Sequence, residues 1–299
     1  MTPSSEHTEG RRAALQGHAA MLLFAVLISV SFSLGDLAAP HIEPAALTAA
    51  RFVLGAGVMG VLAASTMRAA HFRAFWRYPV FGGLLALYFI LMFDALQRTD
   101  AVSTAAVFTL TPLMAAGFGW LLMRQITTGR MAAALVLAAV GALWVIFRGD
   151  IGAFLQMDLG TGEQLFIVGC ALHGLYTPMS RLLNRGEPLI VYSFGGICGG
   201  LMVTLVWGWR DVLKTDWLAL PGVAWAAVFY LAISATAITF FLLQFATLRL
   251  PAAKVMAYGY LVPSFVILWE GLLGHGWVAL PVWLGVAATI GALLILLKD

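Results

Sequence analysis

Along this chain the charged and polar residues gather in short clusters, and between the clusters lie ten stretches of nearly unbroken apolar sequence. They run Ala19–Ala38, Pro44–Ala64, Pro79–Gln97, Ala101–Met123, Met131–Phe147, Gln164–Leu183, Pro188–Trp209, Gly222–Thr247, Ala252–Leu272 and Val278–Leu297. Each comes close to the ~20 residues that an α-helix needs to cross the hydrocarbon core of a bilayer. The pattern predicts an all-α polytopic membrane protein with ten transmembrane helices.

The two halves of the pattern echo each other. Ala95–Pro112 reads ALQRTDAVSTAAVFTLTP and Ala246–Pro263 reads ATLRLPAAKVMAYGYLVP. With Pro112 laid on Pro263, the pairs Ala95/Ala246, Arg98/Arg249, Ala101/Ala252, Ala106/Ala257 and Leu110/Leu261 coincide. Five helices that start on one side of a membrane end on the other, so a second copy has to be inserted upside down, as in transporters built from inverted repeats. The expected units are a cytoplasmic tail (1–17), a five-helix repeat (18–149), a linker (150–161) and a second, inverted five-helix repeat (162–299), with the repeats enclosing a central cavity.

Composition agrees with a lipid solvent. Of 299 residues, 62% are hydrophobic and only 10% charged, against about 25% charged in a soluble domain. On alternating helices, twelve of the 17 Lys and Arg fall on one side: Arg11, Arg12, Arg68, Arg73, Arg77, Arg124, Arg130, Arg181, Arg185, Arg249, Lys254 and Lys298. Arg98, Arg148, Arg210 and Lys214 fall on the other, and Arg51 lies inside the second span. Cytoplasmic loops retain cations during insertion, so both termini are expected in the cytoplasm, with the protein in a bacterial inner membrane. The same loops account for the net charge of +3 without a nucleic-acid partner.

The first apolar run follows Arg11 and Arg12 as a signal peptide would, but it lacks an Ala-x-Ala stop and is read as a retained helix. Cys170 and Cys198 fall within apolar spans, where a thiol packs as a small hydrophobe, so neither a disulfide framework nor a metal site is expected. Gly195, Gly196, Gly199 and Gly200 form two overlapping GxxxG patterns, which serve either a dimer face or close packing inside one subunit. Gly55 takes the place of Gly199 when Glu43-Pro44 is laid on Glu187-Pro188, which favours internal packing and a monomer.

Pro44 to Phe52, PAALTAARF, resembles the second-helix signature of the drug/metabolite transporter superfamily, EamA-type branch. ALQRTDAVSTAAVFTLTPLMAAGFGWLLM resembles that family's third-to-fourth-helix core, and Gly141-Ala142-Leu143 and Gly291-Ala292-Leu293 resemble the ends of its repeats. The resemblance runs from Gly17 to the end of the chain. It implies a ten-helix basket whose central cavity is lined by the first, third, fourth, sixth, eighth and ninth spans. It also implies export of small metabolites, with the YddG-type exporters of aromatic amino acids the nearest in pattern. One departure is clear: where the family commonly carries a Glu after the fourth and ninth helices, this chain has Met123-Arg124-Gln125 and Gly274-His275-Gly276.

Ionisable groups inside the spans are costly and therefore informative. Asp36, Arg51 and Asp94 lie in the first three spans. By depth Arg51 meets Asp36 or Asp94, so a structural ion pair is expected, with substrate contact as the alternative. Glu270 reads as a solvated helix end or a functional carboxylate, and His173 as a packed histidine or a transport group in the breakable stretch Gly174–Pro178. Pro112, Pro178 and Pro263 free the carbonyls of Phe108, Gly174 and Gly259 and predict kinks, static or beside the pathway. On the helices assigned to the cavity, Ser29, Ser33, Tyr88, Met92, Phe108, Thr109, Tyr176, Phe240, Tyr258 and Tyr260 join His173 as candidate substrate contacts. Such a lining suits an apolar or aromatic solute with a few hydrogen-bonding groups.

The chain has no GxxxxGKS/T, HExxH or GxSxG, so no ATPase, metalloprotease or acyl hydrolase is legible, and no catalytic residue or cofactor is expected. No basic cluster lies within the spans, which disfavours sugar phosphates. The expectation is an exporter of aromatic or hydrophobic amino acids working by alternating access, with facilitated diffusion favoured over proton antiport. A multidrug or lipophilic-cation exporter is the alternative.

Overall fold

The computed structural model describes residues 3–125, 128–156, 159–247, 249–250 and 252–297. Its α-helices are α1 (Pro3–Ala38), α2 (Pro44–Ala63), α3 (Arg77–Leu96), α4 (Ala101–Phe108), α5 (Thr111–Met123), α6 (Gly129–Ile146) and the short α7 (Ile151–Gln156) in the first half. The second half holds α8 (Thr161–Leu183), α9 (Leu189–Lys214), α10 (Gly222–Ala232), α11 (Thr239–Thr247), α12 (Ala252–Ala257), α13 (Val262–Leu272) and α14 (Val282–Leu297). Local chemistry sets several starts: Pro44 opens α2 in its first turn, where its missing N–H costs nothing. The Asp100 carboxylate accepts from Ser103 N–H at 2.8 Å, and the Thr128 hydroxyl accepts from Met131 N–H at 3.2 Å, capping α4 and α6.

Among the described residues these helices make ten spans, three of them interrupted. The fourth is α4 and α5, broken at Thr109–Leu110; the ninth is α12 and α13, joined through a 3₁₀ turn at Tyr258–Leu261. The eighth is α10 and α11, joined through a π-helical turn at Ile233–Ile238. Eight spans are long and apolar enough to cross a bilayer by composition alone, and α14 is a shorter apolar helix. The remaining span, α8, has 23 residues but dilutes its apolar character with Glu163, His173, Thr177 and Arg181. Residues 3–17 continue α1 as helix, where the sequence was expected to give a separate tail; Ala13-Ala14-Leu15-Gln16 are strong helix formers.

The packing carries the inversion directly. Helices α2 and α9 lie side by side, with Ala45 against Gly208, Phe52 against Gly200 and Gly60 against Phe194, so the start of one meets the end of the other. Helices α6 and α14 do the same: Trp144 Nε1 donates to Pro281 O at 2.8 Å, and Gly141 abuts Gly285. Each pair joins corresponding helices of the two halves, and antiparallel self-pairing is what an in-plane two-fold requires. Other neighbours follow suit: α3 with α8 answers α1 with α10 and α11, α3 with α9 answers α2 with α10, and α5 with α8 answers α1 with α13.

Close backbone approach holds the centre. A Cβ on Gly82 would sit 2.1 Å from Gly196 O, and one on Gly199 would sit 2.2 Å from the Tyr78 carbonyl. The glycine stripe thus seats α9 on α3 within one chain. Outward faces carry Val61, Trp207, Val206 and Leu284, all exposed, as a hydrocarbon solvent allows.

Candidate functional site

At the heart of the molecule, α1, α3, α8 and the eighth span surround a narrow cavity with about 20 Å³ of free space in this conformation. Its walls are Phe24, Ile28, Leu85, Tyr88, Phe89, His173, Tyr176, Ala235, Thr239, Phe240 and Leu243. Residues 85, 88 and 89 lie on one face of α3, because neighbours three and four apart share a helical face. The His173 ring stacks on Tyr88 (4.5 Å between centroids) and on Phe108 (5.6 Å), and Tyr176 meets Phe240 edge-on at 6.1 Å. The Tyr88 and Tyr176 hydroxyls and His173 Nδ1 are buried and have no hydrogen-bond partner among the described residues. A group that costs so much to leave unpaired is available to a ligand.

Of the sequence candidates, Tyr88, His173, Tyr176 and Phe240 line this cavity, and Phe108 backs it. The others lie elsewhere. Ser29 donates to Val26 O (2.7 Å) and accepts from Trp269 Nε1 (2.8 Å), tying α1 to α13. Thr109 spends its hydroxyl on Ala106 O (2.7 Å) at the break of the fourth span. The Tyr258 hydroxyl meets His18 Nδ1 at 2.9 Å, and Tyr260 packs in a separate cluster with α6 and α14. Met92 and Ser33 are buried outside the cavity wall. The sequence reading missed Phe24, Ile28, Leu85, Phe89, Ala235, Thr239 and Leu243. Only the spacing of Leu85 and Phe89 about Tyr88 signalled any of them.

Arg51 corrects an expectation. It is fully buried, but no carboxylate pairs with it among the described residues. Its Nε donates to Thr236 Oγ1 (3.0 Å), and one terminal nitrogen donates to Thr236 Oγ1 (2.8 Å) and Ala235 O (2.9 Å). The π-turn explains this, since it departs from the regular i→i−4 ladder and presents the Ala235 carbonyl and Thr236 hydroxyl to a neighbour. Asp94 instead pairs with Arg98 one turn on, at 3.0 Å. Asp36 lies within electrostatic reach of Glu270 and Asp100.

Pro112 and Pro263 stand in the first turns of α5 and α13, just after the two symmetric breaks, so they restart helices rather than bend continuous ones. Pro178 alone lies inside a helix.

Two larger openings flank the centre. One, of about 120 Å³, includes Pro112, Met123, Gln125, Thr177, Pro178 and Arg181. His173, Thr177 and Arg181 recur every four residues, so one face of α8 leads from the central cavity into this opening. At the opposite end, an opening of about 380 Å³ is bordered by Asp100, Arg148, Glu270 and His275. There Glu270 Oε2 meets His275 Nδ1 at 2.6 Å, and that hydrogen bond raises the His275 pKa.

An apolar, ten-span bundle of two inverted halves around an aromatic cavity defines a secondary-transporter type of membrane protein. The profile of the EamA-like transporter family matches the chain twice, over residues 15–147 and 160–298, and the chain belongs to that family. It is 22% identical over 284 residues to the Uncharacterized transporter YyaM of Bacillus subtilis (strain 168), covering 93% of this chain and 90% of that protein. A crystal structure 20% identical to it shares the fold, with a TM-score of 0.70 over 95% of this chain and 96% of the other.

Proposed function

We propose that this transporter exports small metabolites with aromatic or hydrophobic bodies, amino acids foremost, by rocking its two inverted repeats (18–149 and 162–299, joined by 150–161) about the central cavity. The observation that carries this is the aromatic chamber with three buried, unpartnered polar atoms, on Tyr88, His173 and Tyr176. Rings on several walls suit an apolar side chain, and the orphaned groups suit the polar end of an amino acid. The cations gathered at one end support a reading in which that end faces the cytoplasm of a bacterial inner membrane, with both termini inside. Transport is by facilitated diffusion, and His173 is the group a proton-coupled mechanism would use.

Proteoliposomes loaded with labelled aromatic and aliphatic amino acids test the substrate class. Flux of aromatic amino acids, unchanged by an imposed pH gradient, is the expected result; no flux of any amino acid rejects the class. The acid groups around the opposite opening, Asp100 and Glu270 with Asp36 near them, favour a second reading, export of lipophilic cations. Cation resistance lost in Asp36→Asn or Glu270→Gln would support that reading.

A further inference from the structure

Arg51 brings a cation into the middle of the molecule without an anion to meet it. Three of its donor contacts go to neutral oxygens of the π-turn, and the other terminal nitrogen, Nη1, has no hydrogen-bond partner among the described residues. Its guanidinium carbon lies 3.7 Å from the centroid of the Phe89 ring. Phe89 and Ala235 touch Arg51 on one side and line the central cavity on the other. One ring therefore separates the charge from the chamber.

Among the described residues, the acids that make ion pairs or side-chain hydrogen bonds make them with groups other than Arg51. Asp94 holds Arg98, Glu163 accepts from Thr99, Glu187 holds Arg77 and Glu270 meets His275. No carboxylate lines the chamber. An ion held away from water is stabilised chiefly by an opposite charge nearby, and in a medium of low dielectric that preference reaches across a ring's thickness. A bound anion is favoured in such a chamber, and a bound cation is disfavoured.

We propose that Arg51 makes the central cavity selective for a carboxylate. The preferred ligand is an aromatic or apolar molecule bearing a carboxylate group, whose charged end settles at the Phe89–Ala235 wall, where a side-chain movement of Phe89 opens it to Nη1. The assignment deepens the transport function proposed above and rests on it. It sets the substrate's charge, and it selects against lipophilic cations at the centre whatever the acidic opening attracts.

The test uses the purified full-length protein in detergent and three probes that share one ring: phenylalanine, 3-phenylpropionate and 2-phenylethylamine, with binding read by thermal shift and competition. Wild type is expected to bind the two carboxylates at least about tenfold more tightly than the amine, as a charge-assisted contact commonly provides. In Arg51→Gln that ratio is expected to fall to within about threefold, and Arg51→Lys to recover part of it. An amine bound as well as the acids by wild type overturns the proposal without any variant having to fold. So does a folded Arg51→Gln that keeps the wild-type ranking. Equal binding of all three removes the Arg51 assignment alone; no binding by any, together with no amino-acid flux in liposomes, removes the transport reading as well.

Discussion

Tyr88, His173 and Tyr176 each bury a polar atom for which the described residues offer no hydrogen-bond partner. In a purely structural role such an atom is a burden, so deleting it relieves the fold; in a binding role, deleting it weakens the ligand. Tyr88→Phe separates these outcomes, because the ring stays and only the hydroxyl goes. The variant is expected to melt at the same temperature as wild type or higher, while its apparent affinity for the proposed substrate, an aromatic amino acid, falls about three- to tenfold, the worth of one hydrogen bond. A Tyr88→Phe variant that melts lower with unchanged transport would place the hydroxyl in the fold instead. At this scale the sequence was a partial guide. It named the ring-bearing residues because aromatic side chains on cavity helices stand out. It also brought in Ser29, Thr109 and Tyr258, whose hydroxyls are spent on Val26, Ala106 and His18, because a one-dimensional pattern does not show which hydroxyls are already satisfied.

Among elements, α3 and α9 are the closest partners, and the glycines at 82, 196 and 199 set their spacing. Backbone lies where a side chain would have to go, so there is nothing flexible to move aside. Gly82→Leu is expected to cost several kcal/mol, at or above the ~1–3 of ordinary overpacking, and to abolish monodisperse elution from size exclusion. Leucine at Gly57 of α2, whose Cβ position meets nothing, should elute as wild type. The GxxxG repeats announced this contact, and the equivalence of Gly55 with Gly199 pointed to it being internal. The π-turn at Ile233–Ile238 had no such announcement. ISATAI reads as an ordinary helix, and only the tertiary demand of Arg51 for acceptors gives the altered ladder a purpose. That is also why the depth argument misassigned Arg51: it considered carboxylates and left out carbonyls freed by an irregular helix.

For the whole molecule, the two halves are joined at the basic end by Arg77 of the first, which donates to Leu183 O and pairs with Glu187 of the second. Burial pushes the Glu187 carboxyl up, but hydrogen bonds from the Arg77 guanidinium and the Arg185 backbone N–H outweigh it and hold the pKa below its ordinary value. A lowered carboxyl pKa contributes stability that is complete above the unfolded value, near about 4.3, and is lost as pH falls through the folded one. The melting temperature in detergent should therefore drop on acidification below about pH 4.5, and Glu187→Gln should flatten that part of the curve. A curve identical to wild type would remove Glu187 from the clasp. The inverted plan itself was legible from Pro112 and Pro263, because duplicated helix breaks leave a visible proline at each restart.

The pairing of α2 with α9 and of α6 with α14 has a further consequence. Each pair consists of a helix and its own counterpart, so trading the shapes of the two repeats returns both seams to where they began. Every contact between unlike helices, such as α5 with α8 or α1 with α13, is exchanged for its twin. Under the proposed rocking of the repeats the seams serve as axles, and exchanging the two shapes gives the conformation expected when the protein faces the other way.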